Sequence, residues 1–101
     1  MILDWKLRKR DDRYEVYDLH LKDFTLSTTR LNKGKSTTGH SHPWEEVYYI
    51  MKGWGRLIVG EATRKIADGD LVFIPGGAFH RVFNDDCPGF VFLCVFKERN
   101  D

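Results

Sequence analysis

Short stretches in which apolar and polar residues alternate follow one another along most of the chain. Such alternation is typical of a β-strand with one buried face, because successive side chains point to opposite sides. Turn-forming residues, mainly Gly, Pro, Asn and Asp, separate the stretches. The pattern predicts eight strands, at 14–21, 24–31, 46–51, 56–59, 64–66, 71–74, 79–83 and 90–96. Since no stretch keeps a 3.6-residue period, we expect an all-β sandwich or barrel.

Two segments depart from simple alternation. The last predicted strand, 90–96, is apolar on both faces, whereas a half-solvated strand should alternate. Its outer face therefore needs a cover, either another sheet of the same chain or a second subunit in a homodimer. Near the start, the two-residue spacing of Leu3, Trp5 and Leu7 predicts a half-buried strand. Acidic residues interleave with the many cations there, which favours a solvated strand edge over a nucleic-acid-binding arm.

Length and composition narrow the classes of protein. A chain of 101 residues suits one domain, 1–101, and 42% hydrophobic residues can supply its core. The net charge of +1 gives no field for binding nucleic acid or a membrane surface, and no apolar run approaches the roughly 20 residues of a membrane span. With only two cysteines and no export signal, we expect a cytoplasmic protein with reduced thiols.

Three histidines and a glutamate form a candidate metal site. His40 and His42 are two residues apart, so in extended backbone both imidazoles project from one face. Glu46 opens the next apolar strand, close enough for its carboxylate to return to the same side. His80 follows a strand and a Pro-Gly-Gly turn that reverses the chain. We expect these four side chains to converge inside the barrel on one divalent metal ion.

The ligand types limit the metal. Imidazole nitrogens with one carboxylate suit Mn, Fe, Co, Ni, Cu or Zn, and suit Ca or Mg poorly. The choice among the transition metals stays open, because availability in the cell competes with affinity. Four protein ligands on a five- or six-coordinate ion leave open positions for a small molecule.

The spacing of these residues resembles the two motifs of the cupin superfamily. The first motif, 34–53, reads Gly, five residues, His, one residue, His, three residues, Glu, six residues, Gly. The second, 69–84, reads Gly, five residues, Pro, one residue, Gly, two residues, His, three residues, Asn. All ten specified positions match. The resemblance implies a double-stranded β-helix, a jelly-roll-like barrel, and it implies that the family's metal ligands carry over to His40, His42, Glu46 and His80.

The resemblance does not fix a reaction, because cupins include dioxygenases, sugar-phosphate isomerases and epimerases, decarboxylases and non-catalytic sensors. The first hypothesis is a metal-dependent enzyme of dioxygenase or isomerase type that acts on a small, anionic or oxygenated metabolite. The alternative is a non-catalytic module that binds or senses such a molecule. An anionic ligand is favoured because a divalent ion with one carboxylate ligand keeps a formal charge of +1.

Several side chains near the motifs allow two interpretations. Tyr48 shares the strand face of Glu46 and is the candidate catalytic acid or hydrogen-bond donor, although an interior Tyr also serves as core. Glu45 has the opposite parity and should face solvent. Arg30 could reach a substrate anion from an inner face, and is otherwise a surface charge. Trp44 is either an aromatic wall or packing, and Asn84 either orients a ligand or caps a strand. His20 and the two cysteines are expected to lie outside the metal set.

Overall fold

The structure, a computed structural model, describes residues 1–98. Those residues form nine strands: β1 (Lys6–Arg10), β2 (Tyr14–His20), β3 (Thr25–Leu31), β4 (Glu46–Lys52), β5 (Trp54–Val59), β6 (Ala62–Ala67), β7 (Leu71–Ile74), β8 (His80–Phe83) and β9 (Phe90–Phe96). All eight predicted strands are present, with ends that differ by at most two residues. No helix long and apolar enough to cross a membrane occurs in the described part of the chain.

The strands form two antiparallel sheets that face each other. The larger sheet has the order β1-β2-β3-β9-β4-β7, and the smaller has the order β6-β5-β8. The C-terminal strand β9 thus lies between β3 and β4, far from its neighbours in sequence. This arrangement confirms the predicted all-β jelly-roll barrel, a double-stranded β-helix.

The barrel interior is apolar at one end and polar at the other. At the apolar end, Tyr14, Leu31 and Phe90 occupy one cross-strand row, and Leu57 and Val82 of the smaller sheet complete the same core. Toward the opposite end, inward-facing positions carry buried polar side chains: Asp18, Thr25, Ser27, Thr29, Glu46 and His80. Because burying polar groups costs free energy unless they find partners, this end of the barrel is where a ligand site is expected.

The first strand differs from its prediction. It begins at Lys6 rather than near Leu3, and all five of its residues are exposed. Leu3, Trp5 and Leu7 are 43–48% exposed. The prediction that a strand here has one buried face was therefore wrong. β1 is an edge strand that pairs only with β2 in the described sheet, and neither of its faces is buried.

The outer face of β9 is only partly covered. Val91, Leu93 and Val95 point away from the core and stay partly exposed, because the smaller sheet lies against the inner face. The neighbouring strands continue an apolar row across the sheet: Leu19, Leu26, Val95, Val47 and Phe73 stand side by side. Another sheet of the described chain therefore does not provide the cover.

Asn84 has a structural role at the apolar end of the barrel. Its side-chain amide donates hydrogen bonds to the carbonyls of Leu31 (2.8 Å) and Cys87 (2.9 Å), and its oxygen accepts one from the Cys87 amide (2.8 Å). The residue is 1% exposed, so water cannot replace these bonds. The sequence allowed Asn84 either to orient a ligand or to cap a strand, and these contacts support strand capping.

We expect Asn84→Ala to lower the free energy of unfolding by about 3 kcal/mol, because it leaves three buried main-chain groups without partners. Urea denaturation followed by circular dichroism measures this change. The matched control is Asn32→Ala, which removes an exposed bond to the Asp12 carbonyl and should cost less than about 1 kcal/mol. Equal losses in the two variants would contradict the assigned role.

Candidate metal centre and its cavity

Two distant segments meet at the polar end of the barrel through a pair of main-chain hydrogen bonds. The His40 amide donates to the His80 carbonyl (3.2 Å), and the His80 amide donates to the His40 carbonyl (2.9 Å). This bridge is isolated, so His40 does not belong to a continuous strand. The alternation of side chains along a strand, used in the sequence argument for His40 and His42, therefore applies only to the backbone next to the bridge. The pairing sets the two imidazoles side by side, with ring centroids 4.5 Å apart.

The loop that carries His42 is held by the Pro-Gly-Gly turn. The Gly77 amide donates to the His42 carbonyl (2.6 Å), and Gly77 adopts a φ of 81°, which favours glycine. At Gly76 a Cβ atom would collide with the Pro43 carbonyl oxygen, so only glycine allows this approach. The turn therefore fixes the position of His42 as well as that of His80.

Each of the three imidazoles is oriented by a main-chain carbonyl two residues away. Nδ1 lies 3.2 Å from the Thr38 carbonyl in His40, 2.8 Å from the Trp44 carbonyl in His42, and 3.0 Å from the Ala78 carbonyl in His80. A carbonyl only accepts hydrogen bonds, so Nδ1 must carry the proton. In the neutral rings Nε2 is therefore the nitrogen with a free lone pair.

These free nitrogens converge. One nitrogen from each of His40, His42 and His80 lies within 4.8 Å of the others. Glu46 Oε1 lies 3.1 Å from His42 Nε2 and 3.3 Å from His80 Nε2. The 3.3 Å contact is within ion-pair distance but is not aligned as a hydrogen bond, and His80 Nε2 has no hydrogen-bond partner in the described residues although it is buried.

The electrostatics favour a positive charge between these groups. Burial lowers the pKa of His80, but Glu46 and the Ala78 carbonyl more than offset this, so the pKa is raised above its usual value. His40, which has no such carboxylate contact, has its pKa lowered, chiefly by burial. A lone pair and a carboxylate oxygen at 3.1–3.3 Å repel each other unless a proton or a cation lies between them.

The donor set fits a divalent transition metal. The imidazoles are locked in the tautomer that offers Nε2, and main-chain carbonyls behind metal-binding histidines are a common means of orienting them. Three nitrogen donors are compatible with the ions named from sequence and unsuited to Ca or Mg. His20 lies outside this group, since its Nδ1 contacts the Thr25 hydroxyl at 3.2 Å.

His40, His42 and Glu46 line a cavity of about 390 Å³ inside the barrel. Tyr48 lines it, is 5% exposed, and sets its ring edge-on to His80 at 6.1 Å. Burial raises the pKa of Tyr48 well above its ordinary value, with smaller contributions from Cys94 and Glu46. The hydroxyl therefore stays protonated at neutral pH and can serve as a donor rather than as a base.

The structure separates the other side chains singled out from sequence. Trp44 lines the cavity and stacks on His42 with centroids 4.4 Å apart, so it forms an aromatic wall beside the site. Glu45 is exposed, as predicted, and Arg30 is exposed, which agrees with its interpretation as a surface charge. Cys94 lines the cavity and is buried, whereas Cys87 is buried in a turn on a different side of the barrel, next to Asn84.

Sequence reasoning missed one charged group that lines the same cavity. Asp18 is 6% exposed and faces inward from β2, where it is paired with Arg8 at 2.5 Å. A signal was present, because Asp18 follows Tyr14 and Val16 at two-residue spacing and so shares their buried face. A charged residue on an apolar strand face is unusual enough to mark a candidate site residue.

Comparisons with known proteins agree with this geometry. The family model for the cupin domain (Cupin_2) matches residues 27–96. A glucose-6-phosphate isomerase of Thermococcus gammatolerans is 32% identical over 89% of this chain, and a dimethylsulfoniopropionate lyase DddQ of Ruegeria pomeroyi is 35% identical over 61% of it. The chain spans 57% of that isomerase and 30% of that lyase.

Solved structures give the same answer for the fold. A cupin-2 domain from Rhodospirillum rubrum superposes with a TM-score of 0.83 at 25% identity, over 97% of this chain and 71% of that one. The family match covers well over half of the chain and contains all three converging histidines. The chain therefore belongs to the cupin family, as a small cupin with a histidine cluster suited to a divalent metal.

Proposed function

We propose that this protein is a divalent-metal-dependent isomerase that acts on a small hydroxy-carbonyl metabolite with an anionic group. The observation that carries the proposal is the convergence of one nitrogen from each of three imidazoles, each ring held through Nδ1 by a main-chain carbonyl, beside a cavity that a buried tyrosine lines. Pockets of a few hundred Å³ suit small metabolites. The similarity to glucose-6-phosphate isomerases over most of this chain favours isomerisation over oxygenation.

His40, His42, His80 and Glu46 are the ligands we propose. Glu46 contacts two of the three histidines and is 6% exposed, so an uncompensated carboxylate would be costly there without a cation. When bound, a divalent ion supplies Lewis acidity to a carbonyl or hydroxyl oxygen of the substrate. Its net charge with one carboxylate ligand favours an anionic or enediol-like group at the open positions.

Tyr48 is the proposed catalytic residue. Isomerisation of a hydroxy-carbonyl compound moves hydrogen between adjacent carbons and leaves negative charge on an oxygen during the reaction. Because burial keeps the Tyr48 hydroxyl protonated, it can donate a hydrogen bond to that oxygen. Trp44, stacked on His42, forms an apolar wall that helps to exclude water from one side of the site.

We expect purified protein to bind close to one equivalent of a transition metal, and His80→Ala or His40→Ala to reduce that occupancy at least about tenfold. Elemental analysis after reconstitution measures the occupancy, and circular dichroism checks that the barrel is folded. His20→Ala is the matched control, because this histidine lies outside the cluster. No bound metal in the reconstituted parent protein would refute the site.

We expect metal-dependent turnover of at least one aldose or ketose phosphate, starting from glucose 6-phosphate, and a loss in kcat of about 10²-fold in Tyr48→Phe with metal content unchanged. Coupled enzymatic assays with chelated and reloaded protein measure the effect. Tyr49→Phe is the control, because Tyr49 lies on the outer face of the same strand. Tight metal and metabolite binding without turnover of any compound would instead support the non-catalytic binding module.

A homodimer is part of the proposal. The apolar row Leu19, Leu26, Val95, Val47 and Phe73 crosses the outer face of the larger sheet, and Phe73 is 56% exposed. Leu71 and Tyr49 form an adjacent exposed pair at 71% and 43%. Contiguous apolar patches of this kind mark interaction surfaces, and a second copy of the same sheet is a self-complementary cover.

We expect the protein to be a dimer and Val47→Glu to convert it to a monomer, because a charge in the centre of the patch cannot be paired by its symmetric equivalent. Size-exclusion chromatography with light scattering measures the mass. Thr63→Glu, at an exposed position of the smaller sheet, should leave the dimer intact. A parent protein that is monomeric at high micromolar concentration would rule out this assembly.

A further inference from the structure

The lining of the cavity includes a second carboxylate, Asp18, which has one oxygen without a hydrogen-bond partner in the described part of the chain. Asp18 Oδ2 contacts Arg8 Nε at 2.5 Å, and the same oxygen lies 3.9 Å from His20 Nε2. Asp18 Oδ1 is buried, and none of the described residues gives it a hydrogen bond. Both basic side chains that contact Asp18 within residues 1–98 therefore approach the same oxygen, and the other oxygen is buried without a partner there, in a residue that lines the cavity.

The position of Arg8 is built into the sheet. The register between β1 and β2 shifts by one residue between Leu7 and Lys9, which makes Arg8 the extra residue of a bulge. A bulge redirects the side chain at its position, and here the guanidinium reaches Asp18, whose own side chain is only 8% exposed. Arg8 itself is 56% exposed, so it holds the carboxylate from the rim of the cavity.

The surroundings of Asp18 are rich in hydroxyl groups. Ser27 is its direct cross-strand partner on β3, and Thr25 and Thr29 precede and follow Ser27 on the same inward face. All three are at most 8% exposed, and Ser27 and Thr29 line the cavity. One cross-strand row then leads from Asp18 through Ser27 and Cys94 to Tyr48, so the free oxygen and the proposed donor lie at the same depth of the barrel.

The charge of Asp18 is already matched by Arg8. A ligand group at Oδ1 must donate a hydrogen bond, since a carboxylate accepts only, but a second cation would stand next to the guanidinium. A neutral hydroxyl satisfies both conditions. Because Asp18, His40 and His42 line one cavity of about 390 Å³, a molecule of a few carbon atoms can contact both Asp18 and an ion held by the histidines.

We propose that Asp18, held by Arg8, is the substrate-binding acceptor that selects ligands with a hydroxyl group beyond the metal-chelating end. The inference deepens the proposed function, and it rests on the proposed metal site because the histidines anchor one end of the ligand. It adds a specificity determinant outside the four proposed metal ligands and assigns a polyhydroxylated chain to the substrate. Buried acceptors of this kind discriminate strongly, because a ligand without the donor leaves them unpaired.

Two probes of equal carbon number test this selection. Both 2-hydroxybutanoate and 2,3,4-trihydroxybutanoate can chelate a metal through the α-hydroxycarboxylate, and only the second has further hydroxyl groups. Isothermal titration calorimetry on protein reconstituted with the divalent ion that it retains best gives the two dissociation constants. We expect the parent protein to bind the trihydroxy acid about tenfold more tightly, the factor for one hydrogen bond to a charged group.

Asp18→Asn should reduce this preference at least about threefold, because the acceptor loses its charge, and leave the affinity for 2-hydroxybutanoate within about twofold of the parent, with unchanged metal content. The matched control is Glu15→Gln, a carboxylate on the same strand that is also paired with an arginine of β1, Arg10, but does not line the cavity. It should keep the preference. If Asp18→Asn does not fold, Arg8→Gln at the exposed rim should reduce the preference at least about threefold, because Oδ2 is no longer held.

Four results would overturn the inference. Two concern the parent protein, which would show no preference or would bind neither probe. The other two concern Asp18→Asn, which would keep the preference or would lose both affinities equally. An unchanged preference in Arg8→Gln would overturn the proposal that Arg8 holds Asp18 in place. The outcome for the proposed function is separate. If the preference depends on Asp18 but the protein shows no isomerase turnover, the result would support this inference and contradict the proposed isomerase function.

Discussion

The site depends on one repeated interaction, the hydrogen bond from an imidazole Nδ1 to a main-chain carbonyl two residues away. It occurs at His40 and His42 on one segment and at His80 on the other segment of the polar end. Because the acceptor belongs to the backbone, its position is set by the fold and not by a mobile side chain. The proton is fixed on Nδ1, which leaves Nε2 to donate a lone pair, and one nitrogen from each ring lies within 4.8 Å of the others.

The rest of the architecture serves to bring those backbone segments together. The reciprocal hydrogen bonds between His40 and His80 join the two motifs, and the Gly76–Gly77 turn approaches the His42 loop as closely as a glycine backbone permits. At the other end, Asn84 joins the chain after β8 to β3 and to the Cys87 turn. The apolar end of the interior supplies stability, and the polar end is left free for chemistry.

The interior is asymmetric in its chemistry as well as in its polarity. On the inner face of the larger sheet, Glu46 and Tyr48 lie on β4 beside the histidines, and Asp18 lies on β2 beside the hydroxyl-bearing strand β3. A ligand in the cavity can therefore meet a cation-binding group at one place and a hydrogen-bond acceptor at another. In our proposals, this combination of a metal site and a separate acceptor explains why a general metal-binding fold would select a small, hydroxylated molecule.

The sequence by itself determined the strands, their buried faces and the identity of the histidine cluster, because alternation and turn residues act locally and the motif spacing is read directly. It also placed Glu45 outside the cavity through strand parity, and it left Arg30 open between an inner face and the surface. It could not place Leu3 and Trp5, which precede the exposed edge strand β1 and are themselves exposed. Only the tertiary structure decided the tautomer of each imidazole and the free oxygen of Asp18. Those features depend on which carbonyl, or which arginine in a β-bulge, lies within hydrogen-bonding distance, and distances between residues far apart in sequence exist only in the folded chain.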